Sequence, residues 1–542
     1  MTSLILACIS ASPAMATEFD ASGFVEVDHR YRVTDIGAGP WYAPRGLSAG
    51  VERLRGIAGG ELRVRDGDAT TTFAGRLETH AGTNAGTLPS LSDPQMVMPL
   101  RLRVDELALE IWDFGLSGLD LKLGHQVVQW GVGDQFNPTN TLNSEDLEDP
   151  LKFGTQLPNV MMRADYSMSA TWTLSGVLVP VFRPSALPAT SSVGTAFIDR
   201  MPVIEDDIRR ELQAAQALAR DGTNTPTIVR DTDLRLPSNG PENMQGMIRL
   251  GGAVGMQDLA FSWYTGRSGI PQPVSNFTER QDQALCHPTD PTQCIDGYLL
   301  TDATMEYPRM HVAGLNGAGE ANLLGFLGAQ PLGWRLEAAM VMPQRLTIAI
   351  ENDDLQLSDG LVQPAGEYDY GLGGERPTVV SDEPFAKWTV GLDYTFGKAV
   401  YANAQWVHGM VDEFGSGDFL NPDFVTRAGD ADWEVRRHRL GDYLVLGSDI
   451  VLGGPVLRLF SLFDLTGYRH EDTSGEGVVT TNHSPFSEEG FSAVIYPELM
   501  VPLQSGLQLS AGAVAMFGKP HTKFGDPAAG GTVAFAKASQ RF

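Results

Sequence analysis

Seven arginines form the most pronounced pattern of chemistry-bearing residues in this chain: Arg30, Arg32, Arg53, Arg55, Arg63, Arg65 and Arg76. They recur at two-residue spacings inside three stretches that alternate polar and apolar. Each set therefore shares one face of an extended strand. Glu26, Asp28, Glu61 and Glu78 fall on the same face, and two later stretches continue it with Glu106, Glu110, Asp120 and Lys122. Such a surface can do one of two things. Lining water, it selects permeant ions and orients polar solutes. Packed against itself, it pairs charges across neighbouring strands and fills space. The sequence gives the two readings equal weight.

Nothing in the sequence composes a catalytic set. His29, His80, His125, His311 and His408 lie in strand-like stretches, and none has a neighbour that names a nucleophile. No phosphate-binding loop, HExxH or dinucleotide fingerprint is present. The expectation is a protein that is not an enzyme and needs no cofactor or metal.

The arginine face must be held by something, and Leu119–Asn140 shows what. Leu119, Leu121 and Leu123 alternate with Asp120, Lys122, Gly124 and Gln126, and the stretch reads on to Trp130, a glycine and a polar loop with Asn137-Pro138. Just before it, Leu107, Leu109 and Ile111 alternate with Glu106 and Glu110, and only 113–118 separates the two. Two alternating strands with a tight turn at one end and a long loop at the other form the repeating unit of an outer-membrane β-barrel.

Taken in order, the chain offers eighteen such strands, a count soft by about two at the resolution of sequence patterns. The expected fold is all-β: a single antiparallel transmembrane barrel of about 18 strands (16–18), with short periplasmic turns and long extracellular loops. Polar residues would face the lumen and apolar ones the lipid. The even count and the phase of the connections put both termini on the periplasmic side. Trp172, Trp334, Trp388 and Trp406 sit near strand ends, where a membrane interface favours them. Met161 and Met516 read as packing. No apolar run of ~18 residues exists to make a transmembrane helix, and no period of 40–50 residues marks propeller blades.

Composition agrees with that class. Only 20% of the 542 residues are charged, against 60 Gly and 33 Pro. Residues 1–16 read as a signal peptide ending in Ala14-Met15-Ala16, and 17–542 as the barrel. A lipoprotein anchored at Cys8 is the weaker alternative. Cys286 and Cys294 are then the remaining cysteines, and in an exported chain their default is a disulfide closing a small loop. With His287 as a third ligand they would under-coordinate a metal. The longest connection, about 183–243, holds one helical stretch, Ile204–Arg220, stopped by Gly222. Long loops of this kind plug, constrict or cap.

The net charge of -28 and the lack of a basic face disfavour nucleic acid as a partner. Acidic loops such as Ser144–Asp149 and Glu351–Asp354 read first as solvated, and second as holding divalent cations.

Gly124-His125-Gln126-Val127-Val128-Gln129-Trp130-Gly131, followed by Phe136-Asn137-Pro138, resembles a motif of an uncharacterised proteobacterial outer-membrane family. That family is porin-like, similar in style to the alginate-export barrels, and often considered alongside systems that export hydrophobic compounds. Gly391–Gly397 (GLDYTFG) and Asn403–Trp406 (NAQW) are similar to its second recurring strand pair. The resemblance implies a channel and names no ligand. It marks Gly124, Gln126, Trp130, Gly131, Asn137 and Pro138 as motif residues, which either contact substrate or fix the strand end and its loop.

The expected function is a porin-like channel in the outer membrane of a Gram-negative bacterium, passing small solutes by diffusion through a charged lumen. The 183–243 loop would be its constriction. Its partners would be outer-membrane lipid, the solute and the barrel-insertion machinery, with assembly into a homo-oligomer left open. The alternatives are a transporter for hydrophobic compounds, working with an export or uptake system and marked by an apolar pocket and a lateral opening, and a barrel enzyme acting on lipid.

Overall fold

The structure, a computed structural model, describes residues 17–34, 49–82, 89–147, 154–186, 227–281, 285–286, 294–295, 298–322, 330–353, 355–356, 362–363, 365–368, 376, 378–410, 413, 440–475, 477–503, 506–519, 522–525 and 531–542. The proposed signal peptide and the helical stretch Ile204–Arg220 lie outside these residues.

Among the described residues eighteen strands form one sheet that closes on itself. In chain order they are β1 (Glu18–Arg32), β2 (Gly50–Asp66), β3 (Ala69–His80), β4 (Leu100–Ile111), β5 (Leu119–Gln126), β6 (Asn159–Ser167), β7 (Trp172–Val179), β8 (Gln245–Val254) and β9 (Gln257–Arg267). The second half comprises β10 (Arg309–Ala321), β11 (Leu332–Pro343), β12 (Phe385–Phe396), β13 (Val400–His408), β14 (Asp442–Val451), β15 (Val456–Asp464), β16 (Ser492–Pro502), β17 (Leu507–Gly518) and β18 (Val533–Arg541). Each pairs antiparallel with the next, and β1 pairs with β18, from Phe24 opposite Arg541 to Arg32 opposite Val533. Gly23 and Phe542 exchange backbone bonds of 2.9 and 3.0 Å at the foot of that seam.

Alternation makes this wall. On β1 to β4, Val25, Val27, Leu62, Phe73, Leu77, Leu107 and Leu109 are exposed on the outside, while Asp28, Arg30, Arg32, Arg55 and Glu78 between them are buried inside. The short turns use glycine where the backbone must be left-handed, as at Gly67 (φ 58°) between β2 and β3. A closed ring leaves no bare sheet edge along its seam and pairs its backbone internally, the β architecture that hydrocarbon admits. With an apolar outer face it is a transmembrane barrel of the Gram-negative outer membrane.

The inner face departs from the uniformly polar wall expected. Met161, Val177, Val179, Met247, Tyr264, Val312 and Val341 point inward and are buried, packed in one cluster with Val128, Trp130, Leu142, Ile348 and Ile350 from the connections. A second cluster joins Val407, Tyr443, Val445, Leu462, Val494 and Val514 to Phe136, with Met516 packed beside it. The extracellular connections fold into the barrel, and the wall beneath them is apolar because it meets protein rather than water. The connections also form a small sheet of Thr227–Arg235, Tyr298–Glu306, Gln272–Gln281, Ala349–Asn352 and Gly366–Tyr368, whose Ile350 packs into the first cluster.

The strand reading ran too far at one point. The wall strand ends at Gln126, and Trp130 belongs to the lumen. Val127 and Val128 in succession break the alternation there, so the chain leaves the wall instead of extending it.

Candidate functional site

The inward turn is built by residues of the Gly124–Pro138 motif. Gly124 has φ 131°, and a Cβ there would lie 2.2 Å from the Leu107 carbonyl oxygen, so only glycine lets β5 approach β4 this closely. Gln126 is buried and donates to the carbonyls of Lys122 and Met161, both at 3.3 Å, which ties off the strand end. From there the chain crosses the lumen. The Trp130 ring is buried with the Arg249 guanidinium 5.9 Å from its centroid, and the Trp130 carbonyl accepts from Asn316 Nδ2 at 2.7 Å.

Glu337 on β11 pins the far side of this segment. Its carboxylate, with no exposed surface, accepts from the Val132 amide, the Gly133 amide (2.6 Å), the Thr139 amide (3.5 Å) and Thr139 Oγ1 (3.0 Å). A Cβ on Gly131 would sit 2.7 Å from Glu337 Oε1, so glycine at this position makes room for the clamp. Beside it, Arg335 pairs with Asp134 and with Asp393 (3.0 Å), and Asn403 Nδ2 donates to Asp134 at 2.9 Å. Thr389 Oγ1 donates to the Phe136 carbonyl at 2.9 Å, and the Asn137 carbonyl accepts from the Asn140 amide at 3.0 Å, turning the chain back just past Pro138. A buried carboxylate persists only when its lone pairs are filled, and here a loop from the opposite wall fills them.

The charged residues singled out in the sequence all share the inner face by register. Asp28 stands opposite Arg55, Arg30 opposite Arg53 and Glu26 opposite Ile57. Glu78 also faces Ile57, Arg76 faces Gly59, Glu61 faces Ala74, Arg63 faces Thr72 and Arg65 faces Thr70. Glu106 and Glu110 follow on β4, and Lys122 is opposite Glu110. Lys122 pairs with Glu106 at 2.6 Å. Asp120 departs from the wall pattern by serving the turn, where it accepts from the Asp113 amide at 3.0 Å.

These side chains do not stand as an open row of cations. Arg30 binds Asp28 (2.9 Å), which lies 3.6 Å from Arg55, and Arg55 lies 3.6 Å from Glu78. Glu78 continues to Arg76 (3.8 Å), Arg76 to Asp105 (2.7 Å), Asp105 to Arg103 (3.1 Å) and Arg103 to Asp146 in the lumen (2.6 Å). Arg32 and Glu52 add a pair at 3.7 Å. The result is an alternating ladder with one carboxylate for each guanidinium, running from β1 to the inward loop. Arg63, paired with Glu61, and Arg65 stay exposed near the end bearing the short turns.

Sequence reasoning missed Glu337, Arg335, Arg103, Asp105 and Asp146. Parity alone puts the first two inside. Asp105 is hidden by a bulge that breaks the β3–β4 register between Ala74 and Gly75 and turns Asp105 and Glu106 inward in succession. Of the strand histidines, His80 is inside opposite Arg55. His29, His311 and His408 share the outer face with Leu54, Thr265 and Trp388. His408 is stacked on Trp388 (3.8 Å between centroids) and bonded to Asp442 at 2.9 Å.

Behind the ladder, Ser144–Glu145 pairs with Gln156–Leu157 as a short inner hairpin. Burial pushes the Glu145 carboxyl up to about 7, with the Asp146 charge adding to the rise and a Gln156 hydrogen bond opposing it. The folded state thus holds this proton more tightly than the unfolded chain does. Docking of the hairpin is firmest at acid pH and loosens as pH rises through about 7. Exchange of the Asp146 and Leu147 amides, bonded to Thr155 and Ala186, should speed up beyond its intrinsic pH dependence over that range. Glu145→Gln should remove the excess.

A second buried carboxylate secures other connections. Glu413 accepts from the Met410 and Gly441 amides at 3.0 Å, from Tyr443, and from Lys523 at 2.7 Å. Burial would raise its pKa, but Lys523 and these donors outweigh it and hold the carboxyl down at about 2.

Residues 109–243 match a family described as proteins of unknown function (DUF1302). The match takes in the Gly124–Pro138 motif and leaves out Gly391–Trp406. No curated protein matches. Among solved structures, Pseudomonas aeruginosa OccK5 (OpdH) is 10% identical with a TM-score of 0.41, covering 97% of this chain and 98% of its own. OpdK from the same organism, solved with vanillate, is 10% identical at 0.44, covering 96% and 98%. Acinetobacter baumannii OccAB3 is 9% identical at 0.43, covering 97% and 99%. At such values these likenesses say nothing about this chain's solute. None of these matches supports the alginate-export style of likeness.

Proposed function

We propose that this protein is an outer-membrane channel through which small hydrophilic solutes diffuse, with Val127–Asn143 as its constriction and the charged ladder beside it tuning ion preference. The observation that carries the reading is the clamp: a segment that leaves the wall at Gln126 is fixed across the lumen by the buried Glu337. The 183–243 connection was expected to constrict by its length. Of that connection 187–226 lie outside the described residues, and its described part includes the strand Thr227–Arg235. The apolar clusters inside the barrel are filled by the protein's own side chains, so they do not of themselves make a pocket for hydrophobic cargo.

In planar bilayers the purified protein should give ohmic steps, and silence would count against the reading. Because the ladder is balanced, the wild-type reversal potential in a salt gradient should be small. Arg53→Gln with Arg55→Gln leaves Asp28 and Glu78 less compensated and should shift it toward cations. An unmoved potential removes the ladder from selectivity.

Cys286 and Cys294 stand opposite each other in an antiparallel pair, a placement that suits a bridge between them. The protein unfolded without reductant should then present no reactive thiol from this pair, and reduction should release both. Free thiols before reduction would dismiss the bridge.

A further inference from the structure

Two arginines stand on the outside of the barrel at one end of β9 and β10. Arg267 closes β9, Arg309 opens β10, and the two are directly opposite each other in the register. Parity gives them the face of Trp263, Thr265 and His311, which is the outer one. A tight turn at Gly255 joins β8 to β9, and the long connection 268–308 joins β9 to β10, so the arginine end belongs to the outer leaflet. Further down, the same face is apolar. Ile248, Phe261 and Met340 are exposed there, and Trp263, with the His311 ring stacked on it at 5.9 Å, marks the upper boundary. His311 is two positions from Arg309, about 7 Å along the strand. The guanidinium groups therefore lie at the depth of the lipid head groups.

What holds them in place is neutral. Asn243, just before β8, sets its Oδ1 between the two, accepting from Arg267 Nη2 at 2.9 Å and from Arg309 Nη2 at 2.7 Å. Arg267 Nη1 donates to the Tyr307 carbonyl at 2.6 Å, and Arg309 Nη1 to the Glu242 carbonyl at 3.1 Å. Among the described residues no carboxylate comes within ion-pairing distance of either arginine. The acids that act on them from further off are engaged elsewhere, Glu306 with Arg235 (3.3 Å) and Glu242 with the Ser238 hydroxyl (2.9 Å). Two like charges held side by side repel, and neutral oxygens orient them without cancelling that repulsion. Each guanidinium carries a fork of N–H donors, and the exposed Arg309 spends two of them on the Asn243 and Glu242 oxygens. The arrangement is a preorganised seat for an anion with several oxygens.

We propose that Arg267 and Arg309 bind a phosphate on the head of an outer-leaflet glycolipid whose acyl chains lie along Ile248, Phe261 and Met340. A phosphate monoester accepts charge-assisted hydrogen bonds from both guanidinium groups at once, whereas a planar carboxylate fills a single fork. Its near-double negative charge at neutral pH matches the two cations. The site lies on the lipid face and does not depend on passage through the lumen.

The test is native mass spectrometry of the full barrel in detergent micelles, titrated with lipid A bearing both phosphates or with the same lipid after enzymatic removal of both. Wild type should hold the phosphorylated lipid at least about tenfold more tightly. That comparison needs no substitution, so it decides even where a variant fails to assemble. Arg267→Gln with Arg309→Gln should erase the preference. Lys398→Gln with Arg541→Gln removes as much charge near the short turns and should leave it intact. Inorganic phosphate in large excess should displace little lipid, because the acyl chains hold it as well. Equal binding of the two lipids by wild type overturns the proposal, as does an undiminished preference in a double glutamine variant that folds by heat-modifiable migration on gels. An equal loss in the Lys398 and Arg541 variant reduces the effect to bulk charge and overturns it too. Full displacement by inorganic phosphate would give the seat to the free ion and overturn the lipid. Conductance is read separately, so a barrel that conducts and fails this test keeps its channel and loses its lipid site.

Discussion

Replacing Glu337 by alanine is expected to raise single-channel conductance severalfold and to make the open level noisy. The carboxylate holds the Val132, Gly133 and Thr139 amides and the Thr139 hydroxyl at once. Its removal leaves those donors without an acceptor in a dry site, at a cost of about 1–3 kcal/mol each. Nothing else on β11 replaces it, since Arg335 is committed to Asp134 and Asp393. The strand itself stays paired on both sides, so the barrel should assemble and only the segment across it should come loose. Glu337→Gln keeps one acceptor and should fall between wild type and alanine. Unchanged conductance in a properly folded Glu337→Ala barrel would mean that Val127–Asn143 does not restrict the path.

Leu77→Arg should destabilise the barrel in lipid by about 2–4 kcal/mol, the range for an arginine facing mid-bilayer. Leu77 is exposed on the outer face of β3, flanked by Ala58 and Leu102 on the neighbouring strands. A soluble protein would welcome a charge at such a position. Glu110→Gln, on the inner face two strand positions from the turn, should change stability by far less. Unfolding midpoints of the two variants in phospholipid vesicles provide the comparison. Equal midpoints would deny that the apolar face meets lipid.

The wall was legible because its code is local. Eighteen strand-like stretches were legible, the clearest from alternating polarity, and each became a strand; the inward placement of Arg30, Arg55 and Glu78 followed from parity. What the residues inside the wall do was far less legible. Whether a guanidinium faces water or a carboxylate depends on register between strands, and the ladder from Arg30 to Asp146 needed both the β1–β2 register and the bulge at Asp105. The clamp depends on contacts between positions about two hundred residues apart, for which no short motif exists. Gly124, Gly131 and Gln126 were marked by their pattern, but their reason is close approach, visible only once the approaching atoms have places. Two successive valines, Val127 and Val128, mark where the described chain turns inside; most of 183–243, singled out by its length, lies outside the described residues.

The seam between β1 and β18 sets a condition on how such a molecule is made. Phe24 finds Arg541 across 517 positions of chain (541 less 24), so the ring is shut by its most distant neighbours in sequence. Until that zipper engages, the growing ribbon has two raw flanks, each a ready template for a second copy. Synthesis halted a single strand short would leave a curled sheet with no way to seal itself.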